Sequence, residues 1–253
     1  MESFLKTALA AAEAASAETM GYYRGTFEVE LKDDQTPVTV ADRHAEEIIR
    51  TKLLSAFPDH GFYGEESGRR QADAEYLWLV DPIDGTKSFV GGYGMWSTQI
   101  ALMHRGELVL GVSAAPAANE TAWAARGLGA RLDGEPLRVR GTTELERAAV
   151  STGNLRSLAR SPRWAGLGRI LARADRTRGY GDYYHYHRLA AGQIDAVIES
   201  DVNILDIAAL VVIVREAGGV FTDLEGRAPG LATTSVLAAT PGLHGELLDL
   251  LRG

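Results

Sequence analysis

Leu77-Trp78-Leu79-Val80-Asp81-Pro82-Ile83-Asp84-Gly85-Thr86 places two carboxylates three positions apart at the end of an apolar run. Leu77–Val80 reads as a buried strand. Pro82 lacks an N–H and restricts the residue before it, so the strand is expected to stop at Asp81-Pro82. Anions at the end of a buried strand are unfavourable unless something compensates them, and a cation is the usual partner. Hard oxygen donors at this spacing suit Mg²⁺ or Mn²⁺ rather than zinc, with the Ile83 carbonyl as a third donor. Gly85-Thr86 then opens a predicted helix, where free backbone N–H groups bind phosphate. The competing reading is an ordinary Asp-Gly turn with a helix cap.

The string Trp78–Phe89, of the form Trp-Leu-Val-Asp-Pro-Ile-Asp-Gly-Thr-x-x-Phe, resembles the metal-binding signature of the inositol monophosphatase family of Mg²⁺-dependent phosphatases. Four further elements resemble that family in the same order. Gly64-Glu65-Glu66-Ser67 is similar to the segment whose first glutamate, here Glu65, bridges metals. Val38-Thr39-Val40-Ala41-Asp42 is similar to the segment that sets an aspartate, here Asp42, beside the catalytic threonine, here Thr86. Asp206-Ile207-Ala208-Ala209, with Glu216-Ala217-Gly218-Gly219 after it, resembles the buried helix whose first residue is a metal ligand. Glu199 matches the position that contacts the leaving-group side of the substrate. Two positions depart from the pattern: Leu205 stands where an aromatic residue is usual, and Gly91 replaces a polar one.

The resemblance implies an αβαβα layered sandwich and two-metal phosphate-ester hydrolysis. One Mg²⁺, held by Glu65, Asp81 and the Ile83 carbonyl, would lower the pKa of a water. Thr86, hydrogen-bonded to Asp42, would orient that water, and Glu65 would help take its proton. A second ion, held by Asp81, Asp84 and Asp206, would neutralise the phosphate and the departing alkoxide. The N–H groups of Gly85 and Thr86 would cradle phosphate oxygens, and a third, weaker ion near Glu65 is allowed. Family relatives are commonly homodimers. Taken singly, Asp42 and Asp206 read as helix caps and Glu65-Glu66 as a solvated loop. Two carboxylates about 4 Å apart repel by roughly 4 kcal/mol at an effective dielectric near 20. Five of them at one point would therefore need cations or protons.

The segment Arg178-Gly179-Tyr180-Gly181-Asp182-Tyr183-Tyr184 bears on the substrate. Inositol phosphatases tend to carry Gly-Ser-Ala here, whereas Tyr-Gly-Asp followed by aromatics is similar to the bacterial histidinol-phosphate phosphatases of the same family. Histidinol phosphate presents an ammonium and an imidazole, and Asp182 and Glu199 would pair with the ammonium. The alternatives are an inositol-1-phosphate or related polyol phosphatase, and a non-catalytic scaffold that keeps the fold and a structural cation. His185 and His187, two apart on a helix, do not share a face and read as surface or packing residues. His44, His60, His104 and His244 show no partner pattern.

The elements that must carry these residues follow from periodicity. Helices are expected over 2–23, from Thr39–Asp42 to Phe57, and over Arg163–Ala174, Tyr183–Ala191 and Leu243–Leu251. Glu46 and Arg50 make an i,i+4 pair on the exposed face of the second helix. Asp206–Ala217 is almost wholly apolar and should be buried on all sides, with Gly218-Gly219 ending it. Strands are expected at Phe27–Leu31, Phe62-Tyr63, Thr98–His104, Glu107–Ala114, Glu120–Ala125, Ala148–Thr152, Arg176–Tyr180, Ile194–Glu199, Val220–Thr222 and Val236–Ala239. A hairpin is expected around Asp133-Gly134, and polar loops at 32–37 and 69–75. This mixture is a layered α/β arrangement, expected as one domain over 1–253. Its metal-site half covers roughly 1–145 and its substrate-specificity half 146–253.

The chain has 253 residues, 45% hydrophobic and 24% charged, enough for a large core. A net charge of −8 argues against a nucleic-acid or anionic-membrane surface, but not against a small phosphorylated substrate, because bound metal inverts the local potential. There is no cysteine, which excludes thiolate metal sites and fits a cytoplasmic location. The alanine-rich start is interrupted by Glu13 and Glu18 and holds only Lys6 as a base, so it reads as a helix of the fold rather than a signal peptide.

Overall fold

Alanine at positions 8, 11, 12 and 15 gives the first helix, α1 (Glu2–Tyr22), a smooth strip that is almost wholly excluded from solvent. The computed structural model describes residues 1–25, 29–31 and 37–252. A short ribbon, β1 (Val29–Leu31) and β2 (Pro37–Thr39), leads into α2 (Val40–Ala56). Then follow β3 (Gly61–Gly64), β4 (Gly68–Arg70), β5 (Tyr76–Asp84), the short helix α3 (Thr86–Val90), β6 (Ser97–His104), β7 (Glu107–Ala115), β8 (Glu120–Ala125), β9 (Gly129–Leu132) and β10 (Glu135–Pro136). The rest of the chain gives β11 (Ala149–Thr152), α4 (Arg156–Ala159), α5 (Arg163–Arg173), β12 (Arg176–Arg178), α6 (Asp182–Ala190), β13 (Ala196–Ser200), α7 (Ile204–Glu216), β14 (Val220–Thr222), β15 (Ser235–Ala239) and α8 (Pro241–Arg252).

The strands form two sheets. The first runs β10-β9-β8-β7-β6-β5-β3-β4, antiparallel except where β3 lies parallel to β5. The second runs β12-β11-β13-β15-β14, with β11 parallel to both its neighbours. Three buried clusters show how the layers stack. Ala8, Ala12, Ala45, Ile49 and Leu53 of α1 and α2 cover Trp78, Val80, Ile100 and Val112 on one face of the first sheet. On its other face Leu77, Leu79, Ala101 and Ala124 meet α6 and α7, whose far sides meet Val197, Phe221 and Val236 of the second sheet. Val150, Ile198 and Leu237 on the outer face of that sheet pack under Leu167 and Ile170 of α5 and Leu243 and Leu247 of α8. This is the αβαβα order implied by the resemblance. The helix α7, apolar on every side over Ile207–Val214, forms the central layer with α6. It lies so close to β7 that a Cβ on Gly111 would come within 2.3 Å of the Ala209 carbonyl oxygen.

Several elements differ from the sequence-based expectation. The strand expected to stop at Asp81-Pro82 continues to Asp84. Asp81 pairs with Gln99 and Asp84 with Ser97, so β5 spends one residue more than β6 across this interval. The proline is accommodated in a bulge. The polar segment 69–75 contributes part of the edge strand β4, and the four-residue helix α4 was unexpected. Arg176–Tyr180 keeps strand pairing only to Arg178. In the expected strand 27–31 the described part is β1; Phe27 and Glu28, like 32–36 of the polar loop, lie outside the described residues, and Pro37 begins β2 instead of ending a loop. Glu46 is not an exposed partner of Arg50: it is 3% exposed and faces the sheet, while Arg50 pairs with Glu47.

Candidate active site

The bulge in β5 decides where two carboxylates point. Along a regular strand residues three apart face opposite sides. The extra residue between Asp81 and Asp84 restores the phase, and both side chains reach the same buried point. The Asp81 Oδ1 accepts the Ile83 N–H at 3.0 Å, and Thr98 Oγ1 donates to the Pro82 carbonyl at 2.8 Å, which pins the bulge. Gly85 then turns the chain at φ 86°, and a Cβ there would stand 2.6 Å from the Met95 carbonyl oxygen, so a side chain has no room. Thr86 starts α3.

Asp206 arrives from α7, and oxygens of Asp81, Asp84 and Asp206 lie within 4.8 Å of one another. The helix begins at Ile204, so Asp206 is its third residue rather than its first. Asn203 and Asp206 form a capping box: the Asn203 N–H donates to Asp206 Oδ2 at 2.9 Å. Asp42 holds the equivalent place in α2, with the Thr39 N–H and hydroxyl donating to its Oδ2 at 2.8 and 2.6 Å. Capping and site membership are thus not alternatives for these residues. The N3 position fixes the carboxylate: Asp42 keeps Oδ1 toward Thr86, while Asp206 also accepts the Asn203 side-chain amide on Oδ1 at 2.5 Å and meets the cluster with its remaining lone pairs.

Five carboxylates do not meet at a single point. Among the described residues the tight group is Asp81, Asp84 and Asp206. Glu65 joins through Asp81, whose carboxyl it faces and whose pKa it helps to raise. Asp42 stands behind Thr86, whose Oγ1 lies 3.4 Å from Asp42 Oδ1 and 3.0 Å from the Ile83 carbonyl oxygen. Sequence reasoning missed the residue that braces the turn just after Glu65. Glu46, from α2, accepts the Glu66 and Ser67 N–H groups at 2.7 and 2.8 Å and lies flush against Gly64. Its i,i+4 spacing to a cation disguised it as a surface residue.

Burial, and then the charges of Glu65, Asp84 and Asp206, drive the Asp81 pKa well above the ordinary carboxylate value. Asp84 rises for the same reason, through burial and then Asp182, Asp206 and Glu199, with the Ser97 hydroxyl opposing. Burial raises Asp206 to about 7 despite the Asn203 N–H. The donors are all oxygen, anionic and mutually repelling, a set that fits a hard divalent cation. The sign of the pH dependence follows. Carboxylates with raised folded pKa values bind protons that the unfolded chain has released, so their contribution to stability is present below about pH 4 and is lost as pH rises toward 7. In chelator, the protein should melt lower near pH 8 than near pH 5, and added Mg²⁺ should raise the melting temperature much more at the higher pH. Calorimetry checks this; an equal Mg²⁺ shift at both pH values contradicts it.

Beside the cluster opens a cleft of about 240 Å³ between Gly153-Asn154 and Gly181-Asp182, with Glu199 at its base. A narrow cavity of about 20 Å³ joins Asp182 and Glu199 to Asp84 and Asp206. Asp182 sits at φ 47° at the start of α6, and burial followed by the Glu199 charge raises its pKa to about 6. Glu199 is opposite in sense. Burial would raise it, but His185, the Asn154 N–H and Tyr186 outweigh burial and hold it below its ordinary value. His185 and His187 are fully buried, so they are packing and not surface residues, and they point apart. His185 meets Glu199, whereas His187 meets Ser113 and Glu120. His44, His104 and His244 have partners that the sequence did not signal, in Tyr22 and Glu18, in Glu75 and in Thr222. A hollow of about 920 Å³ runs along α1 and holds none of the carboxylates of the cluster.

The chain belongs to the inositol monophosphatase family, whose sequence model matches residues 1–252. By class it is a phosphoric monoester hydrolase of a metal-dependent family acting on small phosphorylated substrates. It is 41% identical to a histidinol-phosphatase of Mycobacterium tuberculosis, over 88% of this chain and 87% of that one. It is 37% identical to a histidinol-phosphatase of Streptomyces coelicolor, over 98% of this chain and 96% of that one. Among solved structures it is similar to the extragenic suppressor protein suhB of Bartonella henselae, with a TM-score of 0.90 at 31% identity, covering 99% of this chain and 98% of that one. Among the described residues no helix is long and apolar enough to cross a membrane.

Proposed function

We propose that the protein is a Mg²⁺-dependent phosphomonoesterase whose substrate is L-histidinol phosphate. The observation that carries the substrate is the pair Asp182 and Glu199, two carboxylates in one cleft that opens onto Asp84 and Asp206. An ammonium group there would relieve their repulsion; an uncharged polyol would leave it in place. The names of two relatives at 37% and 41% identity support the same reading.

In this proposal Glu65, Asp81 and the Ile83 carbonyl would hold one ion, Asp81, Asp84 and Asp206 would hold a second, and the neighbourhood of Glu65 would take a weaker third. Mg²⁺ held there, or Mn²⁺ in its place, would supply acidity to a water and neutralise charge on the phosphate. Thr86, backed by Asp42, orients the attacking water, and Glu65 receives its proton. The Gly85 and Thr86 N–H groups hold phosphate oxygens. Asp182 and Glu199 face the cationic end of the leaving group. The proposal includes one catalytic domain over 1–253 in a cytoplasmic homodimer, and sedimentation at micromolar concentration reads the last point.

Asp182→Asn tests the substrate. Removing one of two carboxylates facing an ammonium should raise KM for L-histidinol phosphate by about ten-fold or more. The rate on inositol-1-phosphate should fall far less. An unchanged KM for L-histidinol phosphate in a variant that keeps its Mg²⁺-dependent activity sinks the assignment.

A further inference from the structure

We infer that His185 and Tyr186 are positioning residues for substrate selection: together they lock the Glu199 carboxylate in one orientation, with one oxygen saturated by donors and the other turned to the cleft. This rests on the substrate reading above.

The geometry is specific. His185 Nε2 lies 3.2 Å and the Tyr186 hydroxyl 2.8 Å from the same oxygen, Glu199 Oε2. Among the described residues, the other oxygen, Oε1, accepts the Asn154 N–H alone, at 3.0 Å. It lies against Gly153, where a Cβ would stand 2.1 Å from it. The ring of His185 is itself held. Its Nδ1 faces Ser151 Oγ at 3.4 Å, and that oxygen accepts the Tyr180 N–H at 3.3 Å. Nε2 thus faces the carboxylate while Nδ1 faces the Ser151 hydroxyl, so both ring nitrogens are held. Tyr186 is fixed by stacking on Phe221, 5.6 Å between centroids. His185, Tyr186 and Glu199 are all nearly inaccessible to water.

A carboxylate that receives donors on both oxygens stays ionised and can only accept from a ligand. It therefore favours an ammonium, which only donates, over a hydroxyl, which must also find a donor for its own lone pairs. Without the two donors the side chain is free to turn or take up a proton, and that preference weakens.

The test is the ratio of kcat/KM for L-histidinol phosphate to that for inositol-1-phosphate. Tyr186→Phe and His185→Leu should each lower this ratio by about ten-fold, chiefly through KM for the cationic ester, since hydrogen bonds to a charged group are the strong ones. His185→Gln, which keeps an N–H donor near the position of Nε2, should restore most of it. If His185→Leu fails to fold, Tyr186→Phe decides alone. Parallel loss on both esters at an unchanged ratio, or no change on either, overturns the positioning role. A wild-type protein without preference for the cationic ester overturns the parent substrate reading, and this inference with it. Wild-type preference that survives in Tyr186→Phe overturns this inference alone.

Discussion

Asp81→Asn should lower phosphate release by about a thousand-fold or more, beyond the 10–100-fold typical of residues that merely support ligands. In the same variant the metal-free protein should melt at a higher temperature. Both effects come from one position. Asp81 is 3% exposed, touches Glu65 and belongs to the group with Asp84 and Asp206. It is also the carboxylate proposed to serve both ions. Asparagine keeps the shape and keeps an oxygen for the Ile83 N–H, so the bulge should survive. What it removes is a buried anion among anions, which destabilises the apo fold at neutral pH and is needed only when cations are present. Activity assays and chelator-treated melting curves check the two halves. Loss of activity together with loss of stability would instead mark Asp81 as a structural residue.

Thr86→Ala is expected to lower kcat by about a hundred-fold or more with little change in KM, because a water-orienting hydroxyl acts in the chemical step. Asp42→Asn should have a comparable effect through Thr86, which it approaches at 3.4 Å. The double variant is the informative one. If the two residues act as one unit, its rate should be close to that of either single variant, not their product. Asp42 is also the capping-box residue of α2, so melting temperatures must be read alongside. A stable Asp42→Asn variant with full kcat, or strictly multiplicative losses, contradicts the shared role.

Much of this fold is legible in the residues themselves. The run Ile207–Val214 has no polar face and could only be a central buried helix, and the segments 97–104, 107–115 and 120–125 declare an antiparallel meander by their turns. The carboxylates of the site stand out by local motif. Tertiary partners do not. Pro82 reads as a strand end because its local effect is to break a ladder; only β6, shorter by one residue across the interval, turns that break into a bulge. Glu46 carries a legitimate helix-surface pattern, and nothing local tells that the turn after β3 will deliver two N–H groups to it. His185 meets Glu199 across two elements, and Ser151 across a third. Cap and site membership at Asp42 and Asp206 are not opposed, since an ionised carboxylate has about four acceptor positions and can cap a helix while still facing the site.

The central claim is that the buried carboxylate cluster makes this chain a metal-dependent phosphatase. The most direct measurement is phosphate released by the chelator-stripped wild-type protein before and after Mg²⁺ is restored, with L-histidinol phosphate, inositol-1-phosphate and 3′-phosphoadenosine 5′-phosphate as substrates. The account predicts no release without metal, recovery on adding Mg²⁺, and the highest kcat/KM for L-histidinol phosphate. Release from none of the three with Mg²⁺ present, or release that the chelator leaves undiminished, would contradict it.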